Sequence, residues 1–178
     1  MRLYAWSRRE FHQMVSPFHS GELEVQRRAG VAEEAREVGR IIGRTLTPPM
    51  ARFLAGQRVA VASSVDAEGR VWASLLTGPP GFLAPDGPAH LRIAAQPIAG
   101  DPLGPNLQVD GSPLGLVVLD PRTRQRMRFN GAGHLDAHGL SIDLRQVYGN
   151  CPKYIQRRAT EPDASPVPSA PKLSRRLD

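Results

Sequence analysis

The sequence predicts a mainly β, α+β fold: six short antiparallel strands forming a small barrel, with helices at the N-terminal side. Three observations carry that expectation. Six short strand-like runs, five of them rich in Val, Ala, Leu and Ile, are separated by Gly, Pro, Asp and Asn, the residues of tight turns. Seventeen Gly and seventeen Pro in 178 residues make the chain turn-rich, which suits strands better than a helical bundle. An antiparallel sheet that closes on itself leaves no edge exposed, which favours a barrel.

Taken in order, residues 1–20 contain Trp6, Phe11, Met14 and Phe18 with no clear period, and read as irregular or briefly helical. Glu22 to Gly43 reads as a helix interrupted near Gly30. Val31, Ala35, Val38 and Ile42 share one face, and Glu33, Glu34, Glu37 and Arg40 decorate the other. Thr47 followed by Pro48 makes an N-cap and first helical position for a short helix holding Met50, Phe53 and Leu54, ended by Gly56.

The stretch from Arg58 to Gly78 then reads as a β-hairpin: Val59–Val65 out, Asp66-Ala-Glu-Gly69 as the turn, Val71–Thr77 back. Neither arm alternates cleanly between apolar and polar, so both faces are expected to be covered. His90–Gln96 is a third strand and Leu114–Leu119 a fourth. Asp120-Pro-Arg-Thr turns into a fifth, Arg124–Gly131, and Leu140–Tyr148 is a sixth. Asp101 and Pro102 read as the cap and first residue of a helical turn. The expected organisation is a helical extension over 1–46, a barrel domain over 47–158, and a disordered Pro/Ser-rich tail over 159–178.

Composition narrows the class. A single cysteine gives no internal disulfide framework and fits a reducing compartment. The N-terminus lacks a signal-peptide core, and the longest uncharged run, Val71–Pro85, is broken by Gly78, Pro79, Pro80 and Gly81, so no membrane-spanning helix is expected. These features together predict a cytoplasmic protein. The net charge of +6 is concentrated in residues 121–158, where eight Arg and Lys face only Asp136 and Asp143. That concentration suggests a site for an anion, either a phosphorylated ligand or a nucleic-acid backbone.

Arg122, Arg124, Arg126, Arg128 and Asn130 have one parity, which a strand would place on one face. Stacked guanidinium groups repel, and a phosphate matched by their paired donors would relieve that cost; a solvated cationic face gives the same spacing. In Gly149-Asn-Cys-Pro-Lys-Tyr-Ile-Gln156, Pro152 can open a helix with Cys151 near its cap, making Cys151 either a partly ionised thiol or simply a packed one. His134 and His138 flank Asp136 in a turn and are not expected to bind a metal. No nucleophile elbow, GxGxxG or phosphate-binding P-loop occurs, and no catalytic side chain stands out.

Several segments match one known pattern: Phe18-His-Ser-Gly-Glu22, Phe53-Leu54 with Gln57, VASSVDAEGRVWASLLTG at 61–78, GDPL at 100–103, RQRMRFNG at 124–131 and GNCPKYIQ at 149–156. Over residues 11–158 the chain thereby resembles the split-barrel flavin-binding proteins related to pyridoxamine 5′-phosphate oxidase, in particular a bacterial subgroup whose barrel ends in the GNCPKYIQ motif. The resemblance implies a six-stranded split barrel, a homodimer, and FMN (or FAD or a deazaflavin) in clefts between the subunits. It places Ala73, Ser74, Leu75, Leu76 and Thr77 beside the flavin ring, with Ala94, Ala95, Asp101 and Leu103 nearby. Arg126, Arg128 and Asn130 would approach the cofactor from the fifth strand, and Asn150, Cys151, Lys153 and Tyr154 would lie near the ring or substrate.

The oxidase itself uses an Arg and a Lys on the second strand, where this chain has Ser74 and no neighbouring Lys, and its substrate-binding C-terminal region has no counterpart after Arg158. The expectation is therefore a flavin-dependent oxidoreductase of unassigned substrate, fed by NAD(P)H or a separate electron-donor protein. A non-catalytic flavin carrier or sensor is the alternative. A nucleic-acid-binding barrel is disfavoured, because no aromatic residue interleaves with the arginines to stack bases.

Overall fold

A computed structural model describes residues 16–159. The expectations for Trp6, Phe11 and Met14, and for the tail beyond residue 159, lie outside the described residues. The chain divides into two compact units, one ending at Gly43 and one beginning at Arg44.

The first unit holds α1 (Ser20–Arg28) and α2 (Ala32–Gly39). The interruption expected near Gly30 is real, and Gly30 adopts φ +71°, a conformation that costs glycine little. The start of α1 comes from an unexpected cap. His19 Nδ1 accepts from the backbone of Gly21 and Glu22, while the Glu22 carboxylate accepts from the His19 N–H at 2.9 Å. Val31 and Val38, which share the apolar face of α2, are exposed.

The second unit begins with α3 (Pro48–Ala55), opened by Pro48 after Thr47 and ended at Gly56, as the sequence implies. Next come β1 (Val59–Val65), β2 (Val71–Thr77), β3 (Leu83–Pro85), β4 (His90–Ile93), α4 (Leu103–Asn106), β5 (Ser112–Asp120), β6 (Gln125–Asp136) and β7 (Gly139–Gly149). All ladders are antiparallel, and one seven-stranded sheet runs in the order β2-β1-β5-β6-β7-β4-β3.

The strand count corrects the expected six. The added strand is β3, three residues that pair Leu83 with Ile93 inside a Gly- and Pro-rich connection. The order begins at β2 and ends at β3, with no ladder joining the two. The fifth expected strand is also longer and starts later, at Gln125. Arg122 and Arg124 therefore leave the expected stripe: both lie in the turn after β5, with Arg124 at φ +57° and Arg122 paired to Asp120.

One face of the sheet builds the core. Ala60, Ala62, Leu76, Leu83, Leu91, Ile93, Leu114, Leu116, Val118, Phe129, Leu140, Ile142 and Val147 pack there with Leu54, Phe82, Leu103 and Leu107. Strictly alternating burial in β1 and near-alternation in β2 correct the expectation that both hairpin faces are covered within the chain. The outer face is apolar yet open, because Val59, Val61, Val65, Val71 and Leu75 are all exposed. Hydrophobic composition on both faces hid the alternation from the sequence.

The hairpin tip is locked by Asp66, whose carboxylate accepts from Trp72 Nε1 at 2.8 Å and from Arg70 Nε at 2.6 Å. Between β6 and β7 a bulge lets Asn130 face Gln146 while Gly131 faces Leu144. Glycine is required there, because a Cβ on Gly131 would sit 1.9 Å from the Asp143 carbonyl oxygen.

Candidate functional site: a cationic rim on an open sheet face

Strand pairing places the candidate residues without reference to any ligand. One row across the outer face reads Leu75, Val61, Val117, Arg128, Tyr148 from β2 to β7. The next reads Ala73, Ser63, Gly115, Asn130, Gln146. A third pairs Thr77 with Val59, and Leu119 with Arg126. The face thus passes from small and apolar on β2 and β1 to cationic and amide-bearing on β6 and β7. Leu75 and Arg128 are three strand spacings apart, roughly 14 Å.

At the centre of the face, Gly115 leaves a notch. A Cβ there would meet Ser63 Oγ at 2.5 Å and Asn130 Oδ1 at 3.3 Å, so the missing side chain keeps the surface flat between those groups. Asn130 is itself fixed by donating to Gln146 Oε1 at 3.2 Å.

The cationic rim is anchored by the chain that follows β7. Arg128 Nε donates to Asn150 Oδ1 at 2.7 Å, and Arg126 Nη2 donates to the Cys151 carbonyl at 3.3 Å. Neither guanidinium meets a carboxylate among the described residues. Arg126 Nε is buried with no hydrogen-bond partner, and no other buried side-chain nitrogen or oxygen among the described residues lacks one. An orphaned donor on a cation is costly, and an incoming anionic oxygen would relieve it.

The structure sorts the sequence-predicted residues into groups. Ala73, Leu75 and Thr77 share the outer face with Arg126, Arg128 and Asn130. Ser74 and Leu76 turn inward and are buried. Ser74 Oγ donates to Asp101 Oδ1 at 2.5 Å, and the same oxygen accepts from Leu103 N at 2.8 Å, so Ser74, Asp101 and the buried Leu103 tie α4 to the core side of β2. Ala94 and Ala95 follow Ile93, which pairs with Leu140, whereas Arg128 pairs with Tyr148. Eight residues of β7 separate those positions, roughly 26 Å of strand, so one chain does not bring them together.

Asn150 joins the rim, and Cys151 contributes its carbonyl while its thiol is solvent-accessible. Lys153 Nζ lies 5.5 Å from the Tyr154 ring centroid, with Tyr154 almost fully exposed. β2 ends the hydrogen-bonded order, which leaves one row of its backbone N–H and C=O groups without a partner strand among the described residues.

Sequence reasoning did not find Tyr148, Gln146, Val61, Val117 or Gly115, because only register brings them beside the arginines. It also missed a second polar cluster. Asp143 lies between His90 and His134, with Oδ1 2.7 Å from His90 Nδ1 and Oδ2 3.0 Å from His134 Nε2, and His134 Nδ1 also bonds Asp110. Among the described residues no set of three His, Cys, Asp or Glu side chains has the geometry to hold a metal ion, and no helix is long and apolar enough to cross a membrane.

No protein-family model matches the chain, and no curated protein matches it. Solved structures similar to it include a candidate pyridoxamine 5′-phosphate oxidase from Lactobacillus delbrueckii, 18% identical, with a TM-score of 0.46, covering 60% of this chain and 95% of that one. Another is a variant of HupZ from Group A Streptococcus, 14% identical, with a TM-score of 0.44, covering 58% of this chain and 98% of that one.

Proposed function

We propose that this chain is an FMN-binding protein of the split-barrel type that works as a flavin-dependent oxidoreductase. The observation that carries the reading is Arg126. Its Nε is buried and unpartnered beside Arg128, at the rim of an open, apolar sheet face. The resemblance of 61–78, 124–131 and 149–156 to flavin-binding proteins points to the same face.

In this reading Arg126 and Arg128 hold the phosphate, since guanidinium donors match its oxygens in pairs. Ala73, Leu75 and Val61 give the ring an apolar floor, and the Gly115 notch keeps that floor flat. The free backbone row of β2 supplies donors to the ring's polar edge. When bound, FMN would supply the hydride or electron chemistry, while the protein orients it and excludes water. A second copy of the chain would cover Val59, Val65 and Val71 and close the site, since a flat ligand on an open face stays wet. The electron donor would be NAD(P)H or a separate protein.

The test is an absorbance spectrum of the purified protein and its melting with and without added FMN. Flavin bands or an upward melting shift are the expected result. Absence of both overturns the reading. Mass spectrometry of the released cofactor separates FMN from FAD and a deazaflavin, and light scattering measures the dimer.

One observation favours a second reading, a flavin carrier or sensor. The three rows across the face contain no carboxylate and no imidazole, so no ordinary acid or base stands over the floor. A carrier keeps its flavin oxidised on anaerobic mixing with NADH or NADPH, whereas an enzyme that uses them bleaches.

A further inference from the structure

We propose that residues 150–159 form a displaceable strap, in which Asn150 and Cys151 hold, with neutral oxygens, the guanidinium positions that an anionic ligand takes when it arrives. The inference rests on the flavin reading above and concerns the regulation of that same site.

The strap is tied at both ends. Asn150 N donates to the Arg126 carbonyl at 3.1 Å, and Arg158 N donates to the Pro121 carbonyl at 3.3 Å. Between these ties its side-chain grip on the rim is Asn150 Oδ1 on Arg128, supported by the longer bond from Arg126 Nη2 to the Cys151 carbonyl. Both acceptors are uncharged. A phosphate oxygen makes a shorter and stronger bond to the same donors.

Little else holds the strap down. Of residues 151–159 only Ile155 is half-buried, and the rest are exposed. The segment also carries Lys153, Arg157 and Arg158 with no acidic residue, so a strap of net positive charge is held to two arginines. The buried Arg126 Nε belongs to the guanidinium that grips Cys151. A ligand oxygen reaches that nitrogen only after a covering group moves, and the strap is the segment the guanidinium itself holds. Release of the strap therefore exchanges two bonds to neutral oxygens for several to anionic ones and supplies a partner for the orphaned donor.

The test compares the full-length wild type with Asn150→Ala, reading FMN affinity and deuterium uptake over 149–158. Removing the place-holder should tighten FMN binding about tenfold, the scale of one hydrogen bond to a charged group. It should also raise deuterium uptake in the ligand-free protein to the level FMN induces in the wild type. Asn150→Asp, which adds a charged pair to Arg128, should slow that uptake in the absence of ligand. Weaker FMN binding by Asn150→Ala, with uptake lowered by FMN in the wild type, would mean that Asn150 positions Arg128 instead. That result overturns the strap and leaves the flavin reading standing. If neither protein binds FMN, the flavin reading falls, and inorganic pyrophosphate becomes the probe. A rise in uptake with pyrophosphate still supports the strap, and no rise rejects it.

Discussion

His134 Nε2 stands 3.0 Å from Asp143 Oδ2, although the two residues lie on different strands, β6 and β7. The Asp110 carboxylate, with help from Asp143 and against some desolvation, holds the His134 imidazole above its ordinary value of 6.5. The hydrogen bond from His90, joined by His134, holds the Asp143 carboxyl below its ordinary 3.8 despite partial burial. A raised imidazole contributes stability that is complete below its unfolded value and is lost as pH rises through the folded one. A lowered carboxyl contributes stability that is present above its unfolded value and is lost as pH falls through the folded one. The cluster therefore stabilises most between those limits and weakens above neutral pH. The effect is below about 1 kcal/mol, since both side chains are partly exposed. Melting curves from pH 6 to pH 9 should show a decline that His134→Gln lacks; parallel curves for the two proteins would reject the cluster as its source.

Gly131→Ala tests the bulge. The new Cβ would lie 1.9 Å from a backbone oxygen, and no flexible side chain can yield there. A loss of at least about 2 kcal/mol is expected, at the upper end for overpacking. Gly104→Ala is the control, because nothing lies within 4 Å of its added Cβ. Its stability should stay level or rise slightly. Urea midpoints of the two variants make the comparison, and equal midpoints would mean that the β6–β7 register is looser than described.

Ser74→Ala separates the two faces of β2. The serine is buried on the core side and bonds Asp101, so its loss leaves a carboxylate oxygen short of a donor. A destabilisation of about 1–3 kcal/mol is expected. FMN affinity should change less than twofold, because the hydroxyl points away from the open face. A large drop in affinity with unchanged stability would move Ser74 into the site.

Much of this fold was legible because its signals are local. Pro48 after Thr47, the turn at Asp66–Gly69 and the apolar runs of β1, β2 and β5 each announce themselves over a few residues. What was hidden depends on partners distant in sequence. β3 is three residues long in a loop-like context, and only its pairing with β4 makes it a strand. β6 continues past Gly131, where the expected strand stops, and through Gly133; both glycines are demanded by close neighbours, at Asp143 and Leu114. Parity correctly grouped Arg126, Arg128 and Asn130, then overreached to Arg122 and Arg124, because the Asp120 turn ends the period. His90 and Asp143 are 53 residues apart, beyond the reach of any spacing rule.

Arg128→Lys asks whether the rim recognises a phosphate or merely carries charge. In the ligand-free chain the arginine uses Nε on Asn150 at 2.7 Å, and its planar fork carries further N–H donors on the terminal nitrogens. A lysine keeps the charge but offers one rotating ammonium, which cannot present two parallel N–H donors to a pair of phosphate oxygens as the guanidinium fork does. FMN affinity should fall by about tenfold or more, the scale of one lost charge-assisted bond. Riboflavin, which has the ring but no phosphate, should bind wild type and variant alike. Titrating both ligands at low and moderate salt makes the distinction. A purely electrostatic rim predicts equal FMN affinities for Arg and Lys that decline together with salt. A fork-specific site predicts a gap between them that persists as salt rises, because geometry is not screened. An equal loss for riboflavin and FMN would instead mean that Arg128 holds up the floor of the face, and the phosphate would have to be sought at another cation.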